Sequence, residues 1–188
     1  MKLTAKIAWV IASILAISVI ILIIGLINPP QIHIWLHKPM GVSDSYISKS
    51  IVGVWQDTNY MAAGWSDAFQ FFSDGRFVFN HTQMDCTKRE IRYAGNWKVS
   101  KGILILSIME RDTVEGGEIV DDVICGSTIE GGHDVHLPVN PPETVQYALG
   151  DLRPDKGVNR FGHSYQFLTI NINGTQYWRF RDDPKEYD

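Results

Sequence analysis

The chain has 188 residues, and the part after its first 30 residues is long enough for one domain with a sizeable core but short for two. The sequence contains 17 basic and 21 acidic residues, and two of the basic ones, Lys2 and Lys6, precede an apolar N-terminal segment. The remainder therefore carries a net charge of −6, which argues against nucleic acid as a partner and against binding to anionic lipid headgroups.

The N-terminal segment from Ile7 to Ile27 has the properties of a transmembrane helix. It holds 21 residues without a charge, and at about 1.5 Å per residue it spans roughly 30 Å, the hydrocarbon thickness of a bilayer. The two lysines before it favour a cytoplasmic N-terminus and an extracytoplasmic C-terminal domain. Because no small-x-small cleavage step follows, we expect residues 1–30 to form a retained membrane anchor; a cleaved signal peptide is the alternative.

Residues 31–50 are expected to link the anchor to the folded domain. Two consecutive prolines end the anchor helix, and Ser43 can cap a short helical turn near the end of the linker. The domain itself should occupy residues 51–182. The charged residues 183–188 should form a frayed tail.

The domain shows almost only β-strand signals. Asp74-Gly75 and Asn173-Gly174 separate apolar runs as tight hairpin turns do, and alternation of apolar and polar residues marks further strands. The segment 110–142 contains several Gly and Pro pairs, so we expect a long loop there with one strand near Glu118 to Cys125. The fold class is therefore all-β, an antiparallel meander. The predicted strands are Phe69 to Phe72, Arg76 to Phe79, Ile91 to Val99, Ile103 to Ile108, Val145 to Leu149, Tyr165 to Ile172 and Thr175 to Arg181.

The two cysteines, Cys86 and Cys125, both lie in the domain. Outside the cytoplasm such a pair tends to be oxidised, so we predict a disulfide between them. Closing this loop would stabilise the fold by about 4 kcal/mol if the effect is the lost entropy of the unfolded chain. Two free buried thiols are the alternative.

Candidate catalytic and metal-binding patterns are weak. His133 and His136, with Asp134 between them, suggest a zinc site, but the spacing matches no strong zinc signature and a third firm ligand is not identifiable. The sequence has no Gly-x-Ser-x-Gly elbow and no Gly-rich phosphate-binding loop. We therefore predict that the protein is not an enzyme and has no metal and no cofactor.

Gly53-Val54-Trp55 at the start of the domain and Tyr177-Trp178-Arg179-Phe180-Arg181 at its end resemble the lipocalin and wider calycin pattern. The resemblance covers roughly residues 45–181. It implies that about eight strands close into a barrel, with Gly53 and Trp55 at the barrel base and Arg179 or Arg181 packed across the indole. A guanidinium over an indole ring stabilises a fold by about 0.5–2 kcal/mol.

A lipocalin-like barrel would act as a binding module, and a small apolar ligand is our leading hypothesis. The aromatic residues expected to line a ligand site, or else to fill the core, are Phe71, Phe79, Tyr93, Trp97, Phe167 and Tyr177. The alternative is a protein-interaction module, such as an immunity protein, an inhibitor or an accessory protein of an envelope complex. In that case the segment 110–142 would be the contact surface.

Overall fold

The computed structural model describes residues 43–59, 64–158 and 162–187. The predicted membrane anchor and most of the linker lie outside these residues. In the part described, no helix is both long enough and apolar enough to cross a membrane. The elements within these described ranges are one helix, α1 (Asp44–Ser50), and nine strands, β1 (Gly53–Gln56), β2 (Ala68–Phe71), β3 (Arg76–Asn80), β4 (Glu90–Ser100), β5 (Ile103–Asp122), β6 (Gly126–Ala148), β7 (Arg153–Val158), β8 (Ser164–Ile172) and β9 (Thr175–Arg181).

Helix α1 is fixed to the sheet by its first turn. The Ser43 side chain accepts a hydrogen bond from the Tyr46 backbone N–H at 3.2 Å, which caps the helix. The Asp44 carboxylate accepts hydrogen bonds from the backbone N–H groups of Lys101 and Gly102, at 2.6 and 3.0 Å. The helix therefore lies against the turn between β4 and β5.

The nine strands form one antiparallel sheet in the order β6-β5-β4-β3-β2-β1-β9-β8-β7. The prediction of an all-β antiparallel fold is confirmed, and the first and last strands, β1 and β9, are neighbours. The prediction that the sheet closes into a barrel is wrong. Strands β6 and β7 are its two edges. Where β6 ends, Leu149 forms an isolated bridge with Ile172 of β8, and the backbone N–H of Asn173 donates to the Ala148 carbonyl at 2.8 Å, but no continuous ladder joins β6 to β7 or β8.

The physical reason for the open sheet is the length of its edges. Strand β7 has six residues, whereas β6 has 23 and pairs with β5 over most of them. To close the sheet, β6 would have to form a continuous ladder of backbone hydrogen bonds with β7 or β8. Most of β6 pairs instead with β5, in a part of β5 that lies away from the core. The last buried side chain of β5 is Ile108, in the first third of the strand.

The core lies on one face of the sheet and is built mainly from aromatic rings. Phe69 is in contact with Phe71 and Phe79, with ring centroids 5.1 and 4.4 Å apart, and Phe79 stacks on Tyr93 at 4.8 Å. Such pairs stabilise a fold by about 0.5–1.5 kcal/mol beyond the burial of their area. Leu104, Leu106, Ile108, Ile170 and Ile172 complete this core from β5 and β8.

The long loop predicted for residues 110–142 is also wrong, because nearly all of this segment belongs to β5 and β6. The two strands pair from Glu110 opposite Pro138 to Asp122 opposite Gly126. The Pro141-Pro142 pair does not end the strand, because it falls where the ladder is interrupted, between Ile108 and Glu110 of β5. We call residues 113–137 the distal hairpin.

Candidate interaction site

Ion pairs anchor the distal hairpin to the sheet at its base. The Arg92 guanidinium pairs with Asp112 and, at 2.7 Å, with Glu110. His136 Nδ1 lies 2.7 Å from the same Asp112 carboxylate. Burial alone would raise the pKa of Asp112, but the hydrogen bonds of His136 and Arg92 outweigh it and lower the pKa below its usual value of 3.8.

Beyond this base the hairpin bends at glycines. Gly116, Gly117 and Gly131 all have positive φ angles, of 68°, 66° and 74°. A Cβ on Gly117 would lie only 2.6 Å from the Gly132 backbone nitrogen, so the two strands approach too closely there for a side chain. The Arg89 guanidinium donates hydrogen bonds to the carbonyls of the bend, including that of Gly116 at 2.6 Å.

A disulfide holds the end of the bent hairpin. Cys86, in the connection between β3 and β4, is bonded to Cys125, and the two Cα atoms are 6.1 Å apart. The predicted pairing is confirmed. The disulfide ties the turn of the hairpin to the body of the domain.

The turn itself is ordered by one carboxylate. Oδ1 of Asp122 accepts hydrogen bonds from the backbone N–H groups of Ile124 and Cys125, at 2.8 and 2.7 Å. The bonds from Cys125 and Ile124 lower the pKa of Asp122 below 3.8. The three-residue turn, 123–125, is called the tip loop below.

The tip loop presents apolar side chains to water. Val123 is fully exposed, at 101%, and Ile124 is 88% exposed. Ile119, on β5, is exposed as well. Single exposed apolar residues are ordinary on proteins, but two consecutive ones on a loop fixed by a disulfide and an internal carboxylate mark a candidate contact site.

The distal hairpin also carries the charge of the domain. It contains six acidic residues and no lysine or arginine, while residues 31–112 and 138–188 together contain 15 basic and 15 acidic residues. None of the six carboxylates forms an ion pair within the described residues, in contrast to those at the hairpin base. The six are Glu115, Glu118, Asp121, Asp122, Glu130 and Asp134.

The residues predicted to line a ligand site lie in two different places. Phe71, Phe79, Tyr93 and Tyr177 belong to one core cluster and are only 0–7% exposed. Burial raises the pKa of both tyrosines far above the usual value of 10. Trp97 packs at the edge of this cluster and donates its indole N–H to the Phe72 carbonyl at 3.1 Å.

Phe167 is not part of this core. On β8 it alternates with Leu168 and Ile170, which contact the core, so it faces the other side of the sheet. There it lies near Trp178, which also faces away from the core. The structure therefore brings five of the six aromatic residues together and separates the sixth.

The structure places the residues of the Gly-x-Trp pattern as follows. Trp55 is completely buried and donates its indole N–H to the Ile51 carbonyl at 2.6 Å. The Arg179 guanidinium lies 5.6 Å from the Trp55 ring centroid, while Arg181 is exposed and lies over Phe180. Gly53 has a φ of 134°, and a Cβ there would lie 2.6 Å from the Arg181 carbonyl oxygen, so the first strand requires glycine at this position.

The two histidines considered as zinc ligands do not converge. His133 and His136 are three positions apart on a regular strand, so their side chains lie on opposite faces. No group of three or more His, Cys, Asp or Glu side chains within the described ranges is arranged to hold a metal ion.

Comparison with known proteins does not assign a family. No family model, curated protein or solved structure matches this chain. The functional interpretation therefore depends on the geometry of the molecule itself.

The tip loop is the feature that sequence reasoning missed. A signal was present, since Val123-Ile124 stands between two aspartates and a Cys-Gly step. Apolar residues flanked so closely by turn-forming residues are typical of an exposed turn more than of a buried strand.

Proposed function

We propose that this protein is a membrane-anchored extracytoplasmic binding module that captures a protein partner with the tip of its distal hairpin. The observation that carries the proposal is the tip loop, where Val123 and Ile124 are exposed on a turn held by the Cys86–Cys125 disulfide. A surface ordered before binding loses less conformational entropy when a partner binds. The membrane anchor in this proposal is the apolar N-terminal segment, and its orientation is inferred from the two lysines that precede it.

The chemistry of the hairpin specifies the partner's surface. Six carboxylates that form no ion pair with any described residue, around an apolar tip, fit a protein surface rich in lysine and arginine that offers an apolar pocket for Val123 and Ile124. Charge of this kind speeds association and selects the partner, and the buried apolar contact supplies affinity. The same carboxylates would repel an anionic membrane.

A small apolar ligand is the second candidate, and it has less support. A cavity of several hundred Å³ would expose the side chains that line it to water-sized molecules. Phe71, Phe79, Tyr93 and Tyr177 have almost no such exposure and contact other rings of the core directly. These residues serve the packing of the sheet in our proposal.

We retain the lipocalin-like relationship as part of the proposal. Its support is local, namely the buried Trp55, the Arg179 guanidinium beside it and the glycine required at Gly53. The distal hairpin would then be an addition to an opened lipocalin-like sheet.

The proposal is tested by affinity capture with the full chain in mild detergent, followed by mass spectrometry. The double substitution Val123→Asp and Ile124→Asp should abolish capture of a basic protein that the wild type retains, and capture should weaken as salt rises. Tyr46→Asp is the matched control, because Tyr46 is an exposed apolar residue on α1. Helix α1 contacts the start of β5, at the opposite end of that strand from the tip loop.

Equal capture by the tip variant and the control would contradict the proposal. Recovery of one bound lipid per chain from purified protein, unchanged in the tip variant, would favour the small-ligand function instead. Circular dichroism and non-reducing mass spectrometry would establish that the variants are folded and keep the disulfide.

A further inference from the structure

Two strongly exposed apolar side chains lie outside the distal hairpin. Trp65, in the connection between β1 and β2, is 64% exposed, and Met84, in the connection between β3 and β4, is 57% exposed. A single exposed apolar residue is ordinary on a protein surface, but a group of them marks a contact site. Their meaning therefore depends on how close they lie to each other and to the tip loop.

A backbone hydrogen bond joins the two connections. The N–H of Gln83 donates to the Gly64 carbonyl at 2.8 Å. Gln83 comes directly before Met84 in the chain, and Gly64 comes directly before Trp65. The Cα atoms of Trp65 and Met84 therefore lie within about 15 Å of each other, by the length of the chain and of one hydrogen bond.

The disulfide joins the same region to the tip loop. Cys86 is two residues from Met84, and its partner Cys125 directly follows Ile124. With the cysteine Cα atoms 6.1 Å apart, the Cα atoms of Met84 and Ile124 lie within about 17 Å. A protein–protein interface of standard size covers about 800 Å² on each partner, a patch about 30 Å across. One interface is therefore large enough to cover all three loops.

The charge around these three loops is strongly acidic. The distal hairpin contains six acidic residues, and the two connections, residues 57–67 and 81–89, add three more, against two basic residues, Lys88 and Arg89. The Arg89 guanidinium is directed at the hairpin itself, since it donates to the carbonyls of Val114 and Gly116. A partner that covers this region should therefore be basic around an apolar centre, whereas an anionic lipid surface would be repelled.

We propose, as an extension that rests on the function proposed above, that Trp65, Met84, Val123 and Ile124 form one docking surface for a protein whose apolar groove is bordered by lysine and arginine. Trp65 is its main anchor, because tryptophan is enriched among the residues that dominate the affinity of interfaces. The unbranched Met84 side chain adapts to an irregular partner surface. The disulfide and the bond between the connections hold the loops together before binding.

The first test is photo-crosslinking of the full chain in intact cells. The photoreactive amino acid p-benzoylphenylalanine replaces Trp65, Ile124 or Tyr46, one position at a time. Positions 65 and 124 should crosslink to the same basic protein, and position 46, an exposed ring on α1, should not.

The second test measures the affinity of the crosslinked protein, once purified, for the full chain in mild detergent. Trp65→Ala should raise the Kd at least about tenfold, as expected for an interface anchor, and Met84→Ala should raise it by about three- to tenfold. Tyr46→Ala should bind like the wild type. All three side chains are exposed, so thermal unfolding of the variants should match the wild type.

A protein that crosslinks at position 124 but not at position 65, or an unchanged Kd in Trp65→Ala, would overturn the extended surface and leave the tip-loop function in place. Crosslinking of position 65 to lipid, or to a protein different from the one found at position 124, would overturn it as well. The absence of any protein crosslinked at position 124 would contradict the tip-loop function itself, and the extended surface with it.

Discussion

Replacing Trp55 by alanine tests how the first and last strands are joined. The ring is completely buried, its N–H bonds to the Ile51 carbonyl, and the Arg179 guanidinium lies beside it. Emptying a buried tryptophan site costs about 3–5 kcal/mol. The Ile51 carbonyl also loses its donor, which adds about 1 kcal/mol. We expect Trp55→Ala to lose about 4–6 kcal/mol of unfolding free energy, which lowers the Tm by roughly 10–20 °C for a chain of this size.

The assay is urea and thermal unfolding of the full chain in detergent, followed by far-UV circular dichroism so that removal of an indole does not change the signal. Trp55→Phe keeps most of the ring and loses the N–H, so it should cost only about 1–2 kcal/mol. Trp65→Ala, at an exposed tryptophan, should stay within about 0.5 kcal/mol of the wild type.

A double-mutant cycle with Arg179→Met isolates the contribution of the guanidinium. We expect a coupling free energy of about 0.5–2 kcal/mol between the ring and Arg179. A loss below about 2 kcal/mol in Trp55→Ala would refute the reasoning, because it lies outside the range for an emptied aromatic core site. Zero coupling would refute the contact between the two side chains.

Three further results are expected. Cys86→Ser and Cys125→Ser should each lower the unfolding free energy, measured by guanidinium unfolding, by about 4 kcal/mol. The double variant should lose no more than either single variant, because both remove the same disulfide. Gly95→Ala should lower the unfolding free energy by about 2–4 kcal/mol, since its Cβ would lie 1.9 Å from a carbonyl oxygen of β5. Gly102→Ala, which has open space around it, should lower it by only about 1 kcal/mol because of its positive φ. Equal losses in the two variants would contradict this reasoning. The pKa of the Asp122 carboxyl is lowered in the folded tip loop. The Asp122 carboxylate should therefore stabilise the tip loop fully above the usual pKa of 3.8, and this stabilisation should be lost as the pH falls through the lowered pKa. Amide chemical shifts of the tip loop should follow this titration in the wild type and not in Asp122→Asn.

Short-range signals in the sequence determined the hairpins of the sheet. At Asn173-Gly174 both residues have positive φ angles, of 52° and 89°, and this turn joins β8 and β9 as predicted. At Asp74-Gly75 only Gly75 has a positive φ, yet the turn joins β2 and β3 at the predicted place. The disulfide was equally predictable from the sequence, because a chain with two cysteines allows one internal pairing.

Other elements escaped the sequence because their signals are not local. Strand β7 lies at the edge of the sheet and contains Pro154 and Gly157, residues that an edge strand tolerates but that weaken any strand pattern. The distal hairpin pairs two mostly polar strands without a core to cover, so neither shows the alternation that marks a half-buried strand.

Tertiary structure alone decided whether the sheet closes, which arginine meets Trp55 and where the exposed and unpaired groups lie. Arg179 and Arg181 have the same spacing pattern in the sequence, and only the register of β9 against β1 places Arg179 beside the indole. Likewise, burial of the Gln56 amide depends on neighbours more than 100 positions away along the chain, such as Trp178. A sequence records the chemistry of each side chain, but its solvent exposure and its partners are properties of contacts between distant segments, and these exist only once the sheet is assembled.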